Sequence, residues 1–224
     1  MKEKGKIFLR TSVVLMLLFI VFTIAVKNID LQPVGVNRTV IGFAAVNTRF
    51  HKFTGYHPVM YTSTDWLGIV PFVICFISAA EGFVQLLKRR SFFKVDSDIV
   101  VLGLYYIAVL SVYAAFEMWP VNYRPVLING VMEASYPSST TLMVLTVIPV
   151  FAERINRRYT TGKAKAAVNC ISAVFSVFMV TGRLISGVHW ITDIFGGIIL
   201  SAGLFCIYKY VITLCCNKEK RIRR

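Results

Sequence analysis

The sequence predicts an all-α fold, a polytopic six-helix transmembrane bundle with both termini cytoplasmic, and three observations carry that reading. Apolar residues make up 56% of the 224 positions, and the mean hydropathy of +0.66 exceeds that of an ordinary soluble domain. They gather in runs near the ~20-residue length that crosses a hydrocarbon core of about 30 Å. At that depth only helices satisfy their own backbone outside a closed barrel. Finally, the basic residues fall between and beyond the runs, and mostly on one side.

Six runs appear, roughly 8–26, 66–87, 99–116, 138–151, 166–185 and 194–214, within a single domain covering 1–224. The first follows Lys2, Lys4, Lys6 and Arg10, but no small-x-small cleavage site comes after it, so it reads as an uncleaved span rather than a signal peptide. The fourth is the shortest. With the chain starting inside, 19 of the 25 Lys and Arg residues lie on the cytoplasmic side, around 2–10, 88–94, 154–165 and 209–224. The opposite side keeps Lys27, Arg38, Arg49, Lys52, Arg124 and Arg183. Both termini inside require an even number of spans, which six satisfies.

The formal charge of +14 is explained by this topology and is not read as a nucleic-acid surface. Cys75, Cys170, Cys206, Cys215 and Cys216 have no metal-type spacing, so neither a disulfide framework nor a zinc site is expected. Cys215 and Cys216, beside a basic tail, read as lipidation sites or as membrane-facing filler. Pro33, Gly35, Gly55 and Pro58 punctuate the long segment after the first run, where a loop and a short interfacial helix are expected to form one wall of a lipid-access cleft. The acceptor pattern Asn37-Arg38-Thr39 is too short to carry weight. Trp66, Trp119 and Trp190 sit where an aromatic belt would place them, with Trp190 also able to shield its neighbour His189. Gly196-Gly197 reads as helix packing rather than a phosphate loop. Glu81, at bilayer depth, should face the bundle, toward a partner the sequence does not name.

Chemistry gathers in two outward stretches. In the first, Arg183 precedes His189, and Asp193 follows at a spacing of four, one helical turn on, where a carboxylate can fix the imidazole tautomer and stabilise its cation. The alternative is a helix-end polar pair that satisfies itself, with the arginine as a headgroup anchor. In the second, Asn122-Tyr123-Arg124-Pro125 precedes Tyr136-Pro137-Ser138-Ser139-Thr140-Thr141 at the start of the fourth run. Free N–H groups there would bind an anion, although Pro137 and the hydroxyls suit helix capping equally.

Together these residues resemble the type 2 phosphatidic acid phosphatase family, related in site design to vanadium haloperoxidases and bacterial acid phosphatases. The resemblance rests on Arg124-Pro125, on Pro137-Ser138-Ser139, and on Arg183, His189 and Asp193, which supply the family's third motif complete. It covers the C-terminal half and agrees with the six-span order of the family's membrane members. It implies an integral membrane phosphatase acting on a lipid phosphate or diphosphate from the non-cytoplasmic face, with the bacterial plasma membrane as its location. His189 would attack phosphorus, Asp193 would orient it, Arg124 and Arg183 would hold the phosphoryl oxygens, and Ser138, Ser139 and Thr140 would complete the cradle. No cofactor and no metal is implied, because arginines supply the charge. The partners expected are the lipid phosphate substrate and membrane lipids; oligomeric state is not read from the sequence.

Two positions depart from the family's pattern. Glu117 stands where the first motif has a lysine, and is read as a partner for Arg124. Thr140 stands where the second motif has the histidine that protonates the leaving group, a contribution of about 10²–10⁴-fold. Three outcomes are open: a diphosphate substrate whose leaving group needs no proton, a substitute acid in Glu117 or His57, or loss of catalysis leaving a lipid-phosphate binder or transporter. A lipid phosphotransferase using the same phosphohistidine is the remaining alternative.

Overall fold

The computed structural model describes residues 2–34, 38–158 and 162–222. Gly35, Asn37 of the acceptor pattern and the terminal Arg223 and Arg224 lie outside the described residues, as do the side chains of Lys2, Lys4, Cys216 and the basic residues that follow it. Helix α1 covers Lys2–Asn28; a small antiparallel pair, β1 Gln32–Val34 and β2 Thr39–Ile41, leads to α2 Ala44–Thr54 and α3 Pro58–Leu67. Helix α4 is Ile69–Arg89, α5 Ser97–Met118, α6 Ser139–Arg158, α7 Gly162–Ile185 and α8 Ile191–Ile222. The fold is thus mostly helical rather than all-α, since the segment after α1 pairs Gln32 with Ile41 and Val34 with Thr39.

Among the described residues five helical stretches are long and apolar enough to cross a membrane: Gly5–Asn28, Pro58–Arg89, Ser97–Met118, Gly162–Ile185 and Ile191–Cys215. The run expected at 138–151 is not among them. It forms most of α6, whose last turns carry Glu153, Arg154, Arg157 and Arg158, leaving about 21 Å of uncharged helix. The reason is position. Leu142, Met143, Val144, Val147 and Val150 of α6 are buried in the protein's own core, so most of this helix's surface meets other helices rather than lipid. The outer helices are inverted, with Val14, Leu17 and Val21 of α1 and Ile171, Val174 and Val177 of α7 exposed, as a lipid-facing surface requires.

Helices α1 and α8 pack antiparallel: Gly5 lies against Tyr210 and Thr213, and Gly203 against Met16. Both ends of the described chain therefore meet at one end of the bundle. Glu81 finds its partners there. Arg154 Nη2 lies 2.7 Å from both Glu81 oxygens, and Arg158 bridges Glu81 at 3.2 Å, Asp96 at 3.0 Å and Asp98 at 2.6 Å. Arg89 closes the network on Asp96 at 2.6 Å, and its hydrogen bond holds the Asp96 carboxyl below the usual carboxylate range. Gly196 and Gly197 serve packing: a Cβ on Gly196 would meet the Tyr136 ring at 2.6 Å, and one on Gly197 would meet Thr141 at 3.0 Å, so α8 approaches the start of α6 closely.

Candidate active site

The opposite end of the bundle gathers the starts of α6 and α8, the end of α7, α3, and the loop 119–138. That loop is an irregular hairpin. Asn129 and Gly130, at φ 51 and 78, form its turn, an arrangement Asn-Gly favours. Ile128 and Val131 exchange backbone bonds of 3.0 and 2.9 Å. Further down, Arg124 N–H donates to the Glu133 carbonyl at 3.1 Å and Ser135 N–H to that of Asn122 at 2.9 Å. This pairing sets Arg124 opposite Glu133, with Nη2 3.0 Å from Oε2.

Between α7 and α8, Gly187 turns the chain at φ 72, and a Cβ there would run into the Gly55 carbonyl. Only glycine fits both the left-handed conformation and that approach. His51 Nε2 and the Gly187 carbonyl, 3.0 Å apart, brace the same turn. Trp190 is not a belt residue. It is 2% exposed, and its indole N–H donates to the Tyr123 carbonyl at 2.8 Å, tying hairpin to turn. Trp66 and Trp119 are 71% and 70% exposed, as belt residues would be.

His189 is buried. Its Nδ1 lies 3.1 Å from the Ser135 carbonyl and 3.6 Å from Asp193 Oδ2. A carbonyl can only accept, so Nδ1 carries the hydrogen and the lone pair falls on Nε2. The tautomer is thus set by a backbone group of the hairpin, with Asp193 lying just beyond hydrogen-bond reach. Asp193 instead accepts the Trp190 N–H at 2.8 Å. Burial, reinforced by the fields of Arg124 and Arg183, holds the imidazole well below its ordinary value of 6.5. It is therefore neutral at pH 7, with Nε2 available as a nucleophile.

Arg183 is 1% exposed. Its Nη1 is 3.5 Å from Asp65 Oδ1 and from Thr64 Oγ1, and its guanidinium carbon sits 5.1 Å from the Tyr61 ring centroid. Both arginines line a cavity of about 490 Å³ with Asp65, Glu117, Glu133, Ser139 and Thr140. Glu117 faces this cavity, but the carboxylate paired with Arg124 is Glu133, not Glu117; the hairpin brings Glu133 directly across. His57 is exposed, with Nε2 2.7 Å from the Thr54 carbonyl.

Ser138 is committed to the helix start. Its N–H donates to the Asp193 carbonyl at 3.0 Å, and its Oγ accepts from Thr141 Oγ1 at 3.1 Å and Thr141 N at 3.4 Å. The groups that open the α6 N-terminus to the cavity are therefore Ser139 and Thr140, whose N–H groups fall in the first helical turn, where intrahelical acceptors are lacking. The same end of the bundle holds buried polar atoms with no hydrogen-bond partner among the described residues: His189 Nε2, Arg124 Nη1, Arg183 Nε and Asp193 Oδ1. The Ser135 hydroxyl and Asn122 amide lie beside the Asp193 carboxylate without closing well-formed bonds to it. Unpaired buried polar atoms each cost on the order of 1–3 kcal/mol, and here they cluster where an anion would satisfy the guanidinium donors.

Sequence reasoning missed Asp65, Glu133 and Tyr61. Asn129-Gly130 between apolar residues is a hairpin signal that pointed to a strand across from Arg124; Asp65 gave no local signal.

The fold matches the crystal structure of a transmembrane PAP2-type phosphatidylglycerolphosphate phosphatase from Bacillus subtilis, with a TM-score of 0.56 at 20% identity, covering 89% of this chain and 94% of that one. No curated relative matches the sequence. Residues 39–215 match the PAP2 superfamily, a stretch that holds every candidate residue above, and the chain belongs to that superfamily.

Proposed function

We propose that this protein is an integral membrane hydrolase of lipid phosphates, working through a phosphohistidine at His189. The observation that carries the reading is the buried, unpartnered Nε2 of a neutral imidazole lying in the field of two guanidiniums that themselves have unused donors. Nε2 attacks phosphorus, the P–N bond forms as the P–O bond to the lipid breaks, and the leaving oxygen keeps the electron pair. Water then attacks the phosphohistidine, releasing inorganic phosphate and restoring the ring. Arg124, Arg183 and the N–H groups of Ser139 and Thr140 neutralise the equatorial oxygens; Asp193 supports the imidazolium as it forms. His189 is only 3% exposed and the cavity is lined by Arg124 and Arg183 rather than by the imidazole, so substrate that displaces Glu133 and Asp65 from the arginines must also open a way to Nε2.

The six-span topology supports an outward site. With α6 as a short span largely enclosed by the others, the ion network around Glu81 and Arg154 lies at the cytoplasmic end, and His189 with the Arg124–Arg183 cavity at the non-cytoplasmic end, of a bacterial plasma membrane, in one domain covering 1–224. Thr140 faces the cavity and cannot donate a proton as an acid would. Glu117, in the same cavity and without an ion pair among the described residues, is the group placed to do so. A diphosphate substrate removes the need. If neither operates, the same donors make a lipid-phosphate binder, and a lipid acceptor in place of water makes a phosphotransferase.

The deciding experiment is phosphate release from a panel of lipid mono- and diphosphates by wild type and His189→Ala. Release that survives the substitution sinks the proposal. Binding without release or phosphohistidine supports the binder, and turnover raised by an added lipid alcohol supports transfer.

A further inference from the structure

At the far end of the bundle from His189, α7 and α8 diverge over α6 and leave a groove of about 650 Å³. We propose that this groove is a second lipid site, which holds an acidic glycerophospholipid of the leaflet opposite the candidate active site.

Polarity runs along the groove as it does along an amphiphile. From Leu145 to Arg157 the floor covers thirteen residues of α6, a rise of about 18 Å. The deep end is lined by Leu145, Pro149, Val177 and Phe205, and the outer end by Arg157, Lys165 and Lys209. Among the described residues only one carboxylate, Glu153, lines it. Glu153 is engaged by Lys209 at 2.8 Å and by Arg157 at 3.8 Å, whereas Lys165 makes no ion pair among the described residues. The lining is therefore net positive at the outer end, which fits a phosphate.

A second observation lies deeper. Ser176 is 7% exposed, faces the groove, and its Oγ has no hydrogen-bond partner among the described residues. A hydroxyl buried between helices without a partner is costly, and the ester carbonyl of a lipid below its phosphate would accept from it. Val177 lines the groove and is itself exposed on α7, so the groove opens to acyl chains along that edge. A free phosphate would fill only the outer end and leave the apolar floor and Ser176 uncovered.

The test uses the purified full chain in a neutral detergent, with thermal unfolding and native mass spectrometry read against phosphatidylglycerol, phosphatidylcholine of the same acyl chains, and inorganic phosphate. Phosphatidylglycerol is expected to raise the midpoint and to bind at least tenfold more tightly than phosphatidylcholine, with inorganic phosphate without effect. Lys165→Glu, on an exposed side chain, should weaken phosphatidylglycerol binding at least tenfold and leave the midpoint in detergent alone unchanged. Ser176→Leu, which fills the groove, should do the same; if it fails to fold, Lys165→Glu decides. Equal stabilisation by phosphatidylcholine, reproduction of the shift by inorganic phosphate, or unchanged phosphatidylglycerol binding in Lys165→Glu would each overturn the proposal. Acidic lipid held in the Arg124–Arg183 cavity is separated from this site because Lys165 lies at the other end of the bundle.

Discussion

Replacing Arg183 by Gln separates the functional reading of the cavity from a structural one. The guanidinium is 1% exposed, yet its contacts are long: 3.5 Å to Asp65, 3.5 Å to Thr64, and the face of Tyr61 at 5.1 Å. Taking such a cation out of water costs several kcal/mol, and contacts of this quality return little of it. Asp65, 55% exposed on its side chain, rehydrates when its partner is removed. Stability should therefore change by less than about 1 kcal/mol, a midpoint shift within about 4 °C for a chain of this size. The phosphoryl transition state, by contrast, loses one of two guanidinium clamps. Removing one such donor costs about 10²–10³ in kcat, or about 2.7–4 kcal/mol. Thermal unfolding and phosphate release at saturating substrate, measured on the same preparation, check both halves. A kcat within tenfold of wild type, or an activity loss that simply tracks unfolding, would refute the reasoning.

Three further outcomes follow from the geometry. Because the folded imidazole of His189 titrates well below 6.5, the limb of kcat/KM that it governs should fall only well below that pH. Stability should decline as pH drops from 6.5 toward the folded value, since the unfolded ring takes up a proton that the folded ring refuses; a rate profile losing half its value at pH 6.5 through His189 would contradict this. Thr140→His should speed release from a lipid monophosphate by at least tenfold while leaving a diphosphate nearly unchanged, and Glu117→Gln should slow the monophosphate reaction if Glu117 supplies the proton; single-turnover assays distinguish the two. Arg154→Met should cost about 2 kcal/mol, less than the roughly 3–5 kcal/mol of a fully buried pair, because Arg158 still reaches Glu81 and Asp98. A midpoint lowered by about 4–8 °C, with activity per folded molecule retained, is the expected readout.

How much of this was legible in the chain depends on how far each interaction reaches. Apolar runs near twenty residues, with cations between them, mark α1, α4, α5, α7 and α8, because burying side chains in lipid and keeping charge out of it are local demands. Helix α6 was marked only in part: a helix enclosed by its neighbours is freed from the composition lipid imposes, so its charged turns to Arg158 lay past the expected end. Arg183, His189 and Asp193 stand within eleven residues, and their spacing announced a site.

What the sequence alone could not decide is which groups meet across distance. Asn129-Gly130 signals a hairpin, but counting down from the Ile128–Val131 pair would set Arg124 opposite Ser135; the ladder shifts by two in the irregular stretch 125–127, which begins with a proline that has no N–H to continue it. That shift gives Arg124 the carboxylate of Glu133 and gives His189 the carbonyl of Ser135. Asp65 reaches Arg183 only because α3 folds back against α7, and Ser138 spends its N–H on Asp193 because two glycines let α8 approach α6. Helix formation and membrane burial are written within one turn of the chain, whereas the partner of Arg124 depends on the register of an irregular hairpin, and the tautomer of His189 and the partner of Arg183 depend on contacts between segments more than fifty residues apart, which only the folded bundle brings together.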